Sequence, residues 1–376
     1  MPLTWTCLTL LAAPPPPTFV DVFRDGADGF PSVRIPCLVV TPAGTLLAIA
    51  EGRQRHADQA ANQLVLKRST DGGATWSAAA VIAADGDNSL NNPCAVVDHR
   101  NGRVLLMYQR IPAHLTETSA AIAVGYEGPE VYRNLLLTSD DDGRTWSGPR
   151  DVTRGTKRPD GATTVASGPG LGLQLTRGLH AGRLLMPFNQ GPFWHWQNYA
   201  AYSDDDGETW RCGDDAPGAM VPDAKHGQRS QINEVQFVEL ADGAVRLNSR
   251  PFAGARVRKT AVSRDGGQTW SPITDVPELR DPSCMASILR VGEELVFSGP
   301  CGEHRAHGTI WLSPDDGATW PVHRELLAGS FGYSVLGQLP DGTVLCLFET
   351  DEARRICLAL FSLEWVRGGA AGQRLR

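Results

Sequence analysis

Ser69-Thr70-Asp71-Gly72-Gly73-Ala74-Thr75-Trp76 is the first of five copies of one pattern, Ser-x-Asp-x-Gly-x-Thr-Trp. The other copies occupy residues 139–146, 203–210, 263–270 and 313–320. They use five of the ten tryptophans, so the repeat organises the whole chain. Each copy reads as a tight turn: the Asp carboxylate accepts from backbone N–H groups ahead of it, the Gly takes a positive φ, and the Trp packs beside the turn. A second punctuation alternates with the first. Short turns at Gly44, Gly102, Gly182, Gly243, Gly292 and Gly342 separate strand-like apolar runs such as Val344-Leu345-Cys346-Leu347. No long amphipathic helix interrupts them. Six Gly hairpins alternating with five Asp turns define units of about 50 to 80 residues, the period of a propeller blade. A lectin-like sandwich lacks that alternation. The predicted fold is all-β, a single six-bladed β-propeller over residues 18–367, its last sheet completed by an N-terminal strand near Val20-Asp21-Val22-Phe23. An apolar, Pro-rich segment (1–17) precedes it and a short tail (368–376) follows.

Composition narrows the function. The chain has 376 residues, 41 % of them apolar, enough for a sizeable core, and no apolar run reaches the length of a membrane helix. A formal charge of −7 argues against nucleic acid or an anionic membrane as partner, so an anionic substrate needs a local basic pocket. The eight cysteines, at 7, 37, 94, 212, 284, 301, 346 and 357, form no CxxC pair; this excludes a zinc ribbon and favours reduced core thiols. A cytoplasmic location is expected on that ground. Residues 1–13 are apolar but lack a basic n-region, which leaves a weak secretory signal, and a secreted protein, as the alternative. No His/Cys spacing points to a metal, and no cofactor is expected.

Turn parity then predicts which residues share a face. In a meander, successive turns lie at alternating ends of the strands, so Gly turns and Asp turns share one end and the remaining connections the other. Arg34 lies ten residues before Gly44 and Arg53 nine after it; Glu234 lies nine before Gly243 and Arg250 seven after. Tyr333 lies nine before Gly342 and Glu349 seven after, while Glu117 and Arg305 follow their glycines by fifteen and thirteen. A strand of about seven residues spans roughly 23 Å, which carries all of these to the end opposite the Asp turns. Arginines converging on one point recognise a carboxylate or phosphate through paired N–H donors.

The same residues carry a resemblance to the sialidase (neuraminidase) family of glycoside hydrolases, most of all its cytosolic-type animal members and bacterial relatives. Arg34-Ile35-Pro36 resembles the family's opening motif, and the five repeats resemble its Asp boxes. Glu51-Gly52-Arg53 followed by Asp58 is similar to the segment with the second arginine and the acid/base aspartate. Asn92-Pro93-Cys94 with Thr116-Glu117 is similar to a further active-site segment, and Asn233-Glu234 and Asn248-Ser249-Arg250 to those with the activating glutamate and the next arginine. The resemblance implies a carboxylate-binding triad of Arg34, Arg250 and Arg305, with Glu349 orienting the first. It implies Tyr333 as nucleophile, Glu234 as its activator and Asp58 as acid/base, with Arg53, Glu117 and Asn92 at the substrate. The implied substrates are sialylated oligosaccharides, glycoproteins or glycolipids.

Taken singly, these residues have plainer readings. Asp58 reads as an ordinary polar loop residue, Tyr333 as a packed core tyrosine, Glu117 as a solvated charge and Glu234 as an exposed strand end. Trp194-His195-Trp196 fits a pocket wall or a surface cluster equally. A non-catalytic Asp-box propeller that binds glycans is the rival for the whole chain; it would be expected to have lost at least one of Asp58, Glu234, Tyr333 and the three arginines. The stretch Pro187-Phe188-Asn189-Gln190 lacks the tyrosines that animal relatives place near the glycerol chain, which leaves the acid recognised open between N-acetylneuraminic acid and a deaminated relative.

Overall fold

The computed structural model describes residues 13–369 apart from residue 226; Cys7, the leader candidate up to residue 12 and the tail beyond 369 lie outside the described residues. Among the described residues, six sheets of four or five strands follow one another along the chain, with a two-stranded ribbon, Met220–Asp223 and Gly227–Ser230, before the fourth. Blade one is Ser32–Val40, Leu46–Arg53, Gln63–Ser69 and Ala80–Ala83. Blade two is Ser89–Asp98, Arg103–Ile111, Arg133–Ser139 and Arg150–Asp151, with Gly170–Leu171 added in parallel. In blade three, Thr164–Ser167 and Leu173–Gln174 both pair with Leu184–Gly191, and Gln197–Ser203 and Arg211–Cys212 follow. Blade four is Ile232–Glu239, Val245–Pro251, Val257–Ser263 and Thr274–Arg280; blade five is Ser287–Val291, Glu294–Pro300, Ala306–Ser313 and Val322–Ser330. Blade six, Ser334–Gln338, Val344–Thr350 and Arg355–Phe361, is closed by Thr18–Arg24, with Val20 opposite Leu358. The six-bladed propeller expected from the punctuation is therefore the fold, closed by the predicted N-terminal strand.

The apolar runs follow from this arrangement. Blades are covered on both faces, so a second strand such as that of blade one or six reads as a continuous run rather than an alternation. Leu46-Leu47-Ala48-Ile49-Ala50 and Val344-Leu345-Cys346-Leu347-Phe348 are all 0 % exposed. Apolar layers fill the spaces between successive blades: Leu38, Leu46 and Ala48 meet Leu345, Leu347 and Leu358 between blades one and six, and Leu105 and Met107 meet Leu184 and Met186 between two and three. The seven described cysteines are free, and Cys37, Cys94, Cys284, Cys346 and Cys357 are buried in the core.

The Asp turns prove to be staples between blades. In the third copy the Ser203 hydroxyl donates to Asp205 and accepts the Gly207 N–H, while Asp205 also accepts the N–H and hydroxyl of Thr209. All five copies repeat this set. The residue before the motif glycine has positive φ as well, for example Asp206 at 60° and Asp316 at 58°. Gly207, at φ +84°, leaves a methyl group no room: a Cβ there would stand 2.1 Å from Leu105 Cδ2 of the preceding blade. Gly342, at φ +92°, has nothing within 4 Å of such a Cβ. Gly342→Ala should therefore cost only the left-handed backbone penalty, about 1 to 2 kcal/mol. Gly207→Ala should cost roughly 1 to 3 kcal/mol more for overpacking. Chemical denaturation of both variants checks this; equal losses would mean that the staple does not clamp the neighbouring blade.

Opposite the Asp turns, three first strands carry an irregularity in register, between Arg34 and Cys37, Asn91 and Cys94, and Ile232 and Val235. A bulge re-aims the side chains beside it, here Arg34, Asn92 and Glu234. In the first two, a positive-φ residue (Ile35 at 61°, Asn92 at 53°) is followed by Pro36 or Pro93, which has no N–H to leave unpaired.

Candidate active site

The bulges and the loops between second and third strands surround a cavity of about 250 Å³ at the end of the propeller opposite the Asp turns. Arg34, Arg53, Asp58, Asn92, Glu117, Glu234, Arg250, Arg305 and Tyr333 all line it. Glu349 does not; it stands behind Arg34, fully buried. The structure thus gathers nine of the residues singled out in the sequence around one cavity, with Glu349 behind it.

Tyr333 is 7 % exposed, and its hydroxyl donates to Glu234 Oε1 at 2.5 Å while accepting from Arg250 Nη1 at 2.9 Å. The same Arg250 nitrogen donates to Glu234 Oε2 at 2.6 Å, and Arg250 Nε donates to the Ser283 hydroxyl at 3.0 Å. Desolvation and the Glu234 charge push the Tyr333 hydroxyl well above the usual phenol range, against the pull of Arg250 and Arg305. Arg305 lies 5.2 Å and Arg34 5.8 Å from the Tyr333 ring centroid, and Arg305 Nη2 donates to the Ser283 carbonyl at 3.0 Å. The tyrosine is therefore enclosed by three cations, one of them touching its oxygen.

Arg34 is held in a two-pronged pairing with Glu349, Nε to Oε1 at 2.7 Å and Nη2 to Oε2 at 2.9 Å. Burial works against the Arg34 charge, and Glu349 more than restores it. Glu349 Oε1 also accepts the Ile35 N–H at 2.9 Å. A β-branched residue at positive φ costs on the order of 1 to 3 kcal/mol, and this bond offsets part of it.

Asp58 faces the tyrosine from a loop of blade one; its side chain is 68 % exposed and accepts from Arg53 Nη1 at 2.9 Å. Glu117 is exposed at the rim, yet desolvation on its pocket side and the charges of Asp58 and Glu234 push its carboxyl up to about 7. Phe193, Trp196 and Phe252 form an aromatic wall. The Trp194-His195-Trp196 stretch is thus divided: Trp196 enters the pocket, while Trp194 packs on Phe252 and under Arg229, whose guanidinium carbon is 4.4 Å from its ring centroid.

Several contributors escaped the sequence reading. Ser283, at φ 70°, ties Arg250 to Arg305; Tyr132, Phe252 and Ile111 line the cavity; and Glu51 anchors the Asp58 side. One signal was available. Seven residues after each hairpin glycine stand Glu51, Gln109, Asn189, Arg250, Gly299 and Glu349. Five of these bond to the next blade around the ring or to the segment leading into it: Glu51 accepts the Asn92 N–H, Gln109 donates to Ser167, Asn189 to the Asn233 side chain, Arg250 to Ser283, and Glu349 accepts the Ile35 N–H. A polar residue at that fixed offset inside an apolar run marks the floor of the site. Among the described residues no group of three or more His, Cys, Asp or Glu side chains could hold a metal ion, and no helix is long and apolar enough to cross a membrane.

Comparison with known proteins bears on the fold and the family. Residues 41–346 fit the family described as BNR repeat-like domain, which defines the class: a propeller built on Asp-turn repeats. A sialidase of Micromonospora viridifaciens is 36 % identical over 96 % of this chain and 57 % of its own length. A sialidase of Bacteroides fragilis is 30 % identical over 89 % of this chain and 63 % of its own. Among solved structures, Hadza microbial sialidase Hz136 superposes with a TM-score of 0.80 at 29 % identity, covering 91 % of this chain and 68 % of that one. The intramolecular trans-sialidase of Ruminococcus gnavus, at 19 % identity and a TM-score of 0.78, covers 92 % of this chain and 98 % of that one and shares the fold. The chain belongs to the sialidase family. It spans about three fifths of the length of the two bacterial relatives.

Proposed function

We propose that this protein is an exo-α-sialidase that releases terminal, α-ketosidically linked sialic acid from oligosaccharides, glycoproteins or glycolipids with retention of configuration. The reading is carried by one observation: the 2.5 Å bond from the Tyr333 hydroxyl to Glu234 lies within a ring of three arginines. Sialic acid carries its carboxylate on the anomeric carbon. Arg34, Arg250 and Arg305 pair with that carboxylate, and a carboxylate nucleophile would meet like charge there. A tyrosine that stays neutral until it attacks avoids the repulsion, an exception already recognised among retaining glycosidases.

The steps balance. Glu234 takes the Tyr333 proton as the phenol oxygen bonds to the anomeric carbon, and Arg250 steadies the developing phenolate. The bond from that carbon to the leaving oxygen breaks, and Asp58 gives that oxygen its proton. Water then attacks the tyrosyl–sugar bond, Asp58 takes a proton from it, and Tyr333 leaves and recovers its own from Glu234. Two displacements at one carbon return the starting configuration. Arg53, Glu117 and Asn92 meet the rest of the sugar.

The test is incubation of the purified protein with α2,3-, α2,6- and α2,8-linked sialosides, followed by NMR. Free sialic acid appearing first as the α-anomer is expected. No release sinks the enzyme reading in favour of a glycan-binding propeller, and initial β-anomer sinks the double displacement. A further prediction separates Asp58 from the nucleophile. General acid help is worth about 100- to 10,000-fold when the leaving oxygen is a poor leaving group, and little when it departs as a stabilised phenolate. Asp58→Ala should therefore lose about 100-fold or more in kcat on a sugar-linked substrate and less than about 10-fold on an aryl sialoside. Equal losses on the two would remove Asp58 from the acid role.

A further inference from the structure

Glu51 is fully buried in blade one. Oε2 accepts from Arg53 Nε at 2.9 Å and Asn62 Nδ2 at 3.1 Å, and forms an ion pair with Arg53 Nη2 at 2.7 Å. Oε1 accepts the Asn92 N–H at 2.7 Å and Asn91 Nδ2 at 3.2 Å. Burial pushes this carboxyl up while Arg53 and the Asn92 N–H pull it back, and the four hydrogen bonds it accepts favour the ionised form. Each side-chain partner continues to Asp58. Arg53 Nη1 donates to the Asp58 carboxylate at 2.9 Å, and Asn62 and Asn91 donate to its carbonyl at 2.7 and 2.8 Å.

Glu349, at the same offset from its own hairpin glycine, does the equivalent for Arg34: one oxygen takes the N–H of a positive-φ bulge residue, Ile35, and both oxygens grip a guanidinium. We propose that Glu51 is a positioning residue for the acid/base step. It acts through Arg53, Asn62 and Asn91 to hold the exposed Asp58 loop over the leaving oxygen, as Glu349 holds Arg34 under the substrate carboxylate. Asp58 is mostly in solvent and its carboxylate accepts from Arg53, so whatever fixes Arg53 and the loop backbone fixes the acid. The proposal rests on the acid/base reading of Asp58.

The experiment compares wild type, Glu51→Gln, Asp58→Ala and the double variant on a sugar-linked sialoside and an aryl sialoside with the same glycone. If wild type cleaves neither substrate, the activity reading fails, an outcome distinct from failure of the present proposal. Glu51→Gln should lose about 10- to 100-fold in kcat on the sugar-linked substrate and under about 5-fold on the aryl one, a fraction of what general acid help is worth. Added to Asp58→Ala, it should cost little more, because residues that act as a unit are non-additive. Equal losses on both substrates, or full additivity with Asp58→Ala, would overturn the proposal and leave Glu51 a fold-stabilising carboxylate. Should Glu51→Gln fail to fold, Asn91→Ala keeps the Glu51–Arg53 pair and removes one donor to Glu51 together with its link to the Asp58 carbonyl. It should show the same leaving-group bias at smaller size, and no bias would count against the proposal.

Discussion

Tyr333→Phe should lose turnover on sugar-linked and aryl sialosides alike, by on the order of 10⁴- to 10⁶-fold, the scale seen when a covalent nucleophile is removed. The substitution deletes one oxygen and leaves the ring between Arg34 and Arg305, so substrate binding should change far less than turnover. Glu234→Gln should resemble it, since the 2.5 Å bond through which the hydroxyl gives up its proton is then made to a group that cannot accept one. The environment explains why both parts are needed. Burial and the Glu234 charge hold the hydroxyl proton on Tyr333 at rest, and Arg250 and Arg305 favour the phenolate once Glu234 has accepted it. A 3-fluorinated sialyl fluoride incubated with wild type should leave a covalent label on Tyr333, read by peptide mass mapping. A label on Asp58 or Glu234 would overturn the mechanism and leave the fold standing.

How far the sequence reached depends on the kind of physics involved. The blades were legible because their determinants are local. Each Asp turn closes on itself within eight residues, and each hairpin glycine needs only a backbone conformation that other residues resist. Counting from those glycines placed Arg34, Glu234, Arg250, Tyr333 and Glu349 at one end, because strand rise is nearly constant. Asp58 was reached only by resemblance; its flanks, His56-Ala57 and Gln59, carry no signal, and its orientation comes from partners on two blades. Ser283 and Phe252 lie in loops whose paths depend on how successive sheets twist past one another, which no local pattern records. Glu51 lay between these cases. It stood in plain sight beside Arg53, and its importance appears only when the seven-residue offset is compared across blades.

The arginines should not be equivalent, and the structure ranks them. Arg250→Ala should cost the most, with kcat/KM falling about 1,000-fold or more. It removes the Nη1 bond to the Tyr333 oxygen and the cation paired with Glu234, and with them the donor proposed for the substrate carboxylate. Truncating one member of a buried charged pair costs about 2 to 5 kcal/mol, or roughly 30- to 5,000-fold. Arg305 is exposed and touches the Tyr333 ring and the Ser283 carbonyl but neither reacting oxygen, so Arg305→Ala should lose about ten-fold less than Arg250→Ala. Arg250→Lys keeps a positive charge beside Glu234, yet an ammonium cannot span Ser283 on one side and Tyr333 with Glu234 on the other. It should fall between the two, with kcat reduced more than KM is raised. Steady-state kinetics of the three variants, with melting curves to confirm folding, decide the ranking. If Arg305→Ala proved the more damaging, carboxylate binding alone would set the rate, and the contact from Arg250 to the tyrosine oxygen would have no part in catalysis.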